Sequence, residues 1–150
     1  MVVAPPPPLI GLTIAVFMGF IAKWTPDLST DQSIVKGFGV AIMAAGLLIE
    51  LICIAAFFRS KTTVNPFTPQ KTSSLVTTGL YRISRNPMYL GMAALLTGWA
   101  AFLGSAAALL GPLLFVVTIT LVQIKPEEKA LAGLFGEDYE AYRRKTRRWI

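Results

Sequence analysis

Histidine is absent from this 150-residue chain, and cysteine occurs once, as Cys53 in an apolar run. The first absence removes the commonest neutral-pH general base and metal ligand, so zinc or haem chemistry is not expected and no metal site is assigned. The second leaves no disulfide framework and no cysteine-rich metal cluster. Charge is scarce as well: Asp, Glu, Lys and Arg make up 15% of the residues against 54% hydrophobic, and the mean hydropathy is +0.60. That apolar share is well above an ordinary globular domain's and points to a polytopic membrane protein. No internal repeat and no domain boundary is visible, so residues 1–150 are read as one domain.

A helix needs about 20 mostly apolar residues to cross a hydrocarbon core. Four stretches qualify as candidates, at about 8–25, 34–58, 88–103 and 105–124, the last two joined only by Gly104 and Ser105. Backbone polar groups in lipid must be paired internally, which leaves helices as the spanning form. The expected fold is therefore all-α: four transmembrane helices, a cytoplasmic loop over 59–87 and a cytoplasmic helical tail over 125–150. The N-terminus does not read as a cleavable signal, because residues 5–8 are a stiff proline run with no basic residue before them.

The basic residues set the expected orientation. Of the 14 Lys and Arg, all but Lys23 and Lys36 lie in the middle loop or the tail, and those two are balanced by Asp27 and Asp31. The positive-inside bias then puts both termini and the middle loop at the cytoplasmic face. The formal net charge of +6 reads as a topology and lipid-headgroup signal. Membrane lipids are the expected surroundings; a nucleic-acid partner would need a basic face on a soluble domain and is not expected. The turn formers Thr62, Thr63, Asn65, Pro66 and Pro69 suit either an ordinary surface loop or a lid lying along the membrane.

Residues 81–91 carry a denser set of polar groups. Arg82, Arg85 and Tyr89 would share one side of a helix by spacing, yet Pro87 disfavours helix at Asn86 and predicts a break, with a new helix that starts at Pro87. Such a start offers amide donors and a positive helix end to a carboxylate. The same residues also fit arginines that snorkel to headgroups beside a Tyr81 and Tyr89 aromatic belt. In the tail, Glu127 and Glu128 after Pro126 suit a helix start, and equally two acids at the membrane mouth that bind an ammonium or sulfonium, or pair with the loop arginines. Leu131, Leu134, Phe135, Tyr139 and Tyr142 form an apolar stripe interrupted at Gly136, and the basic cluster at 143–148 reads most simply as a lipid anchor. Glu50, about 12 Å inside the second span at 1.5 Å per residue, is either a functional ionisable group or structural glue. Small residues on the spans suit packing within or between chains alike.

The strings TTVNPF (62–67), TTGLYRISRNPMYLG (77–91) and EEKALAGLFGEDYEAYRR (127–144) resemble the isoprenylcysteine carboxyl methyltransferase and phospholipid methyltransferase superfamily of integral membrane enzymes. That superfamily's pattern is Gly-x-Tyr, then Arg-His-Pro-x-Tyr-x-Gly, an apolar hairpin, paired glutamates and Phe-Gly-x-x-Tyr-x-x-Tyr, and the similarity covers about the C-terminal two thirds. The resemblance implies methyl transfer from S-adenosylmethionine, with S-adenosylhomocysteine as product, at the cytoplasmic side. Carried over by position, Tyr81, Arg85, Asn86, Pro87, Tyr89 and Leu90 line the cofactor site together with Glu127 and Glu128, and Arg85 and Glu128 bear most directly on catalysis. Arg85 would take the methionine carboxylate by a two-point contact and glutamate its ammonium. Asn86 stands where the pattern has histidine, a change associated with bacterial members; this places the protein in a bacterial inner membrane and removes a base. The implied acceptor is lipophilic, an isoprenylcysteine-like carboxylate or another hydrophobic small molecule, ahead of a phospholipid amine. A small multidrug-type transporter working through Glu50 and a noncatalytic assembly protein are the rival readings.

Overall fold

The computed structural model describes residues 5–26, 32–59 and 75–150. They form five helices: α1 (Pro7–Ala22), α2 (Gln32–Arg59), α3 (Pro87–Leu103), α4 (Leu110–Ile119) and α5 (Lys125–Lys145). Short 3-10 turns at Gly79–Arg82 and Ala107–Leu109 lead into α3 and α4, and a π-helical turn at Thr120–Ile124 joins α4 to α5. Among the described residues there is no β-strand, only an isolated parallel bridge between Ser84 and Arg147. The all-α expectation holds. The turn-rich stretch 62–69, Lys61, Lys71, Asp27 and Asp31 lie outside the described residues.

Local sequence explains the helix ends. Pro7 and Pro87 each occupy the first turn of a helix, where the missing N–H has no intrahelical partner to lose. The break expected at Asn86 is present, with non-helical φ −129° and ψ 52°. Gly104 ends α3 in the left-handed region at φ 67°, and its N–H donates to the carbonyls of Ala100 and Ala101, a conformation that favours glycine.

Two sets of contacts hold the bundle. α2 and α3 run antiparallel with their backbones almost touching at two glycine pairs spaced seven residues apart. A Cβ on Gly98 would stand 2.5 Å from the Gly39 carbonyl oxygen, and one on Gly46 would stand 2.7 Å from that of Gly91. Without a hydrophobic drive between helices in lipid, such close small-residue contact is what gains dispersion energy. On the other face of α3, Ile10, Ile14 and Met18 of α1 pack with Leu96, Phe115 and Ile119, and the Trp99 indole N–H donates to the Ala15 carbonyl at 3.1 Å. α2 stays peripheral: only 11% of its most apolar window is buried, and Phe38, Leu47, Leu48 and Leu51 face outward.

Length separates the helices into two groups. α2, with 28 residues, is about 42 Å long at 1.5 Å per residue. It and the continuous helix that begins at Ala107 are long and apolar enough to cross a membrane. α1 and α3 are shorter apolar helices of 16 and 17 residues. The tail also differs from expectation at its start, because no break separates it from the fourth apolar stretch. The π turn falls just before Pro126, so the ladder is already widened where the proline offers no N–H. The interruption comes at Gly136, with φ 48° and ψ −121°. At one end of the bundle Thr25 and Ser105 share a hydroxyl hydrogen bond of 2.6 Å. At the other end residues 75–87 meet α5 and the chain's last residues, with Trp149 packed against the core.

Candidate active site

The end of the bundle at Asn86 gathers most of the charge that the apolar helices lack. Arg85 lies in the irregular step between the 3-10 turn and α3, and its Nη2 donates to Glu128 Oε1 at 2.7 Å. Arg148 grips the same carboxylate at two points, Nε to Oε1 at 3.0 Å and Nη2 to Oε2 at 2.7 Å. Glu128 therefore spends both oxygens inside the protein, in a triad of two guanidinium groups around one carboxylate. Burial works against its charge, but the hydrogen bonds from Arg148 and Arg85 outweigh burial and hold the carboxyl below its ordinary range.

The remaining donors of Arg85 also face the tail. Its Nη1 donates to the carbonyls of Thr146 at 2.5 Å and Arg143 at 3.4 Å. Its backbone N–H donates to the Arg147 carbonyl at 2.9 Å. Both terminal nitrogens are thus engaged within the chain, so the two-point contact expected for a ligand carboxylate is not open in this arrangement. The Nε atom is buried and has no partner. Asn86 joins the same seam by donating Nδ2–H to the Arg148 carbonyl at 3.0 Å, while its backbone N–H reaches the Ser84 hydroxyl at 3.1 Å. The side chain in the histidine position of the motif is therefore a donor that docks the tail.

Glu127 has different company. It accepts the Tyr89 hydroxyl at 2.8 Å and the Gln123 amide at 2.7 Å, both on Oε1. Among the described residues no hydrogen bond reaches its Oε2. Burial drives the Glu127 carboxyl above its ordinary value, and the donations from Gln123 and Tyr89 only partly counter this. Adjacent glutamates consequently sit in opposite regimes, one neutralised by two cations and one served only by neutral donors. Tyr81 is buried, edge-on to Phe57, and its carbonyl accepts the Tyr142 hydroxyl at 2.6 Å. Pro87 is fully buried, Leu90 half-buried.

Arg85 and Tyr89 thus meet the paired glutamates, and Asn86 meets the tail beside them. Arg82 does not: it is exposed at the end of the 3-10 turn, because the chain between it and Arg85 is not helical. Of the basic cluster read as a lipid anchor, Arg148 turns inward onto Glu128, and Arg143 pairs with Glu140 at the surface. Gln123 and Arg148 were not among the expected site residues. For Gln123 a signal existed, since an amide four residues before Glu127 shares its helical face. Arg148 carries no local signal; its partner lies twenty residues away beyond a kinked helix. Glu50 lies against α3 at Gly91, and its Oε1 is buried without a hydrogen-bond partner. No group of His, Cys, Asp or Glu suited to a metal occurs among the described residues.

Comparison with known proteins points the same way. A 63-residue uncharacterized protein of Haemophilus influenzae is 40% identical over its whole length, which corresponds to 42% of this chain. No solved structure matches. The phospholipid methyltransferase family model matches residues 35–138, a range that takes in most of α2, the Arg85 motif, the hairpin and the paired glutamates. The chain belongs to the phospholipid methyltransferase family.

Proposed function

We propose that the protein is a four-span membrane enzyme that transfers a methyl group from S-adenosylmethionine to a lipophilic acceptor at the cytoplasmic face, with both termini on that side. The observation that carries this reading is the convergence of Arg85, Tyr89, Glu127 and Glu128 at one end of an apolar bundle. The amino-acid part of the donor is a zwitterion and needs a hydrogen-bond donor for its carboxylate and a negative pole for its ammonium. The residues present fit both needs. Arg85 Nε is a buried donor without a partner, and Glu127 keeps one oxygen free of hydrogen bonds. Tyr81, Asn86, Pro87 and Leu90 surround the same corner in sequence and supply cover.

When bound, S-adenosylmethionine supplies an electrophilic methyl on a sulfonium. The chain's own residues bind, orient and exclude water; at a charged corner backed by an apolar bundle, alignment of the reacting atoms is the main lever on rate. Asn86 cannot take a proton, which favours acceptors that arrive as carboxylates or thiolates over amines. Those acceptors reach the site laterally, from the bilayer around α2. The unpaired Glu50 oxygen and four short spans suit the transporter reading, under which Glu50→Gln abolishes transport and Arg85 and Glu128 are dispensable.

The deciding experiment is calorimetric titration of the detergent-solubilised protein with S-adenosylmethionine and S-adenosylhomocysteine. Binding that is lost in Arg85→Ala and Glu127→Ala, in variants that still show a cooperative melt, supports the site. Equal binding by both variants removes these residues from it.

A further inference from the structure

We propose that the cavity between the C-terminal end of α2 and the 3-10 turn at Gly79–Arg82 is a lipid site, in which one acyl chain of an anionic phospholipid lies while Arg59 holds its headgroup. The inference stands apart from the methyltransferase reading, because Arg85, Tyr89, Glu127 and Glu128 take no part in the cavity wall. The cavity measures about 370 Å³, within the roughly 300–1,000 Å³ of ligand pockets. α2 lines it with Ile52, Cys53, Ala56 and Arg59, whose spacing by threes and fours puts them on one side of the helix, and the turn lines it with Leu80 and Tyr81. Small residues keep the gap open: Ala56 offers only a methyl group, and a Cβ on Gly79 in the opposite wall would meet nothing within 4 Å. Tyr81 is the buried part of that wall, and the Tyr142 hydroxyl fastens its carbonyl to α5.

Charge selects the headgroup. Arg59 is the last residue of α2 and Arg82 follows Tyr81 directly, and both are exposed. Among the described residues neither has an acidic partner, and residues 59–87 contain no Asp or Glu. The tail's paired acids are already committed, Glu128 to Arg85 and Arg148, and Glu140 to Arg143. Two guanidinium groups at the cavity's edge are therefore matched from outside the chain. A phosphodiester does this through a two-point contact, and basic pockets at the ends of membrane helices seat anionic headgroups. A zwitterionic headgroup fits less well, since its ammonium would join two cations with no acid to receive it. An acyl chain reaches the cavity without parting any helices, because α2 is peripheral and Ile52, in the cavity wall, is 45% exposed. Long arginine side chains at the end of an apolar helix reach the headgroup level while their stems stay in the apolar zone.

The test is photolabelling of the full chain in mixed detergent micelles with phosphatidylglycerol or phosphatidylcholine carrying a diazirine on one acyl chain, the labelled residues being located by mass spectrometry. Phosphatidylglycerol should label residues 52–56 and 78–81 roughly tenfold or more above phosphatidylcholine. Unlabelled phosphatidylglycerol should compete that label away, and phosphatidylethanolamine should not. Arg59→Gln should lower the labelling about fivefold, and the Arg59→Gln/Arg82→Gln pair should bring it to the phosphatidylcholine level. Both arginines are exposed, so these variants keep the fold. Ala56→Trp fills the cavity and should abolish its label while outward-facing Leu47 and Leu48 are labelled as before; the arginine variants carry the test if Ala56→Trp does not fold. Equal labelling by the two lipids, or a preference that survives the double change, overturns the anionic-lipid site. So does competition by phosphatidylethanolamine as effective as by phosphatidylglycerol, which would make the cavity a seat for amine headgroups. S-adenosylhomocysteine binding is read separately: its absence in wild type overturns the methyltransferase reading and leaves the lipid site standing.

Discussion

The triad around Glu128 gives an ordered set of stabilities that depends on burial and not on charge count. The Arg85 side chain is 9% exposed and that of Glu128 15%, while that of Arg148 is 37% exposed. Removing one partner of a buried ion pair costs about 3–5 kcal/mol because the other charge is left uncompensated, whereas an exposed pair is worth about 0.2–1 kcal/mol. Glu128→Ala strands two guanidinium groups, one of them buried, and belongs at the upper end, about 3–5 kcal/mol. Arg85→Ala leaves Glu128 still held by Arg148, so its cost falls lower, to about 2–3 kcal/mol, largely from the carbonyls of Thr146 and Arg143 losing their side-chain donor. Arg148→Ala removes the exposed member and costs about 1 kcal/mol. For a chain of this size each kcal/mol corresponds to roughly 2–4 °C in Tm, so Glu128→Ala shifts the melt by roughly 10 °C and Arg148→Ala by a few degrees. Cys53 is the lone cysteine and is 1% exposed, so a thiol-reactive fluorophore in detergent reports unfolding directly. The Arg85→Ala/Glu128→Ala double variant should cost less than the two single losses added together, since the first change removes what the second would strand. Additive losses, or an Arg148→Ala loss equal to that of Glu128→Ala, would refute this account of the clasp.

Three further outcomes follow from the same geometry. Gly98→Ala puts a methyl group 2.5 Å from the Gly39 carbonyl oxygen and should cost about 1–3 kcal/mol, whereas Gly37→Ala meets nothing within 4 Å and should be neutral or slightly stabilising; thermal melts of the two variants check the contrast. Glu128, with its carboxyl held low, stabilises above its ordinary 4.5 and loses that contribution as pH falls through its folded value. Glu127, with its carboxyl raised, contributes below 4.5 and loses that contribution as pH rises through its folded value, so Glu127→Gln should match wild type in acid and become the more stable protein as pH rises; a constant deficit across a Tm-against-pH series would contradict this. Tyr142→Phe leaves the Tyr81 carbonyl without its 2.6 Å donor and should cost about 1–3 kcal/mol, read from the same melts.

Periodicity and proline placement revealed most of the helical framework, because those signals act over a single turn. Pro87 ends one backbone conformation and begins another, and Gly104 turns the chain at φ 67°, whatever surrounds them. The glycine pairs were harder to see: Gly39, Gly46, Gly91 and Gly98 are ordinary small residues until two helices are laid side by side, and only then does the seven-residue spacing on each become a contact surface. The site divides in the same way. Arg85, Tyr89 and the paired glutamates were legible through a resemblance to a known motif, yet their division of labour was not. Which glutamate is neutralised depends on Arg148, and Arg148 reaches Glu128 only because Gly136 bends α5 and residues 143–148 lay their carbonyls on Arg85 and Asn86. That seam also changes the meaning of Asn86. As a replacement for histidine it looked like the loss of a base; in place it is a donor that fastens the tail beside the charged corner, so that the side chain least suited to proton transfer helps hold a buried carboxylate ionised by keeping Arg148 on it.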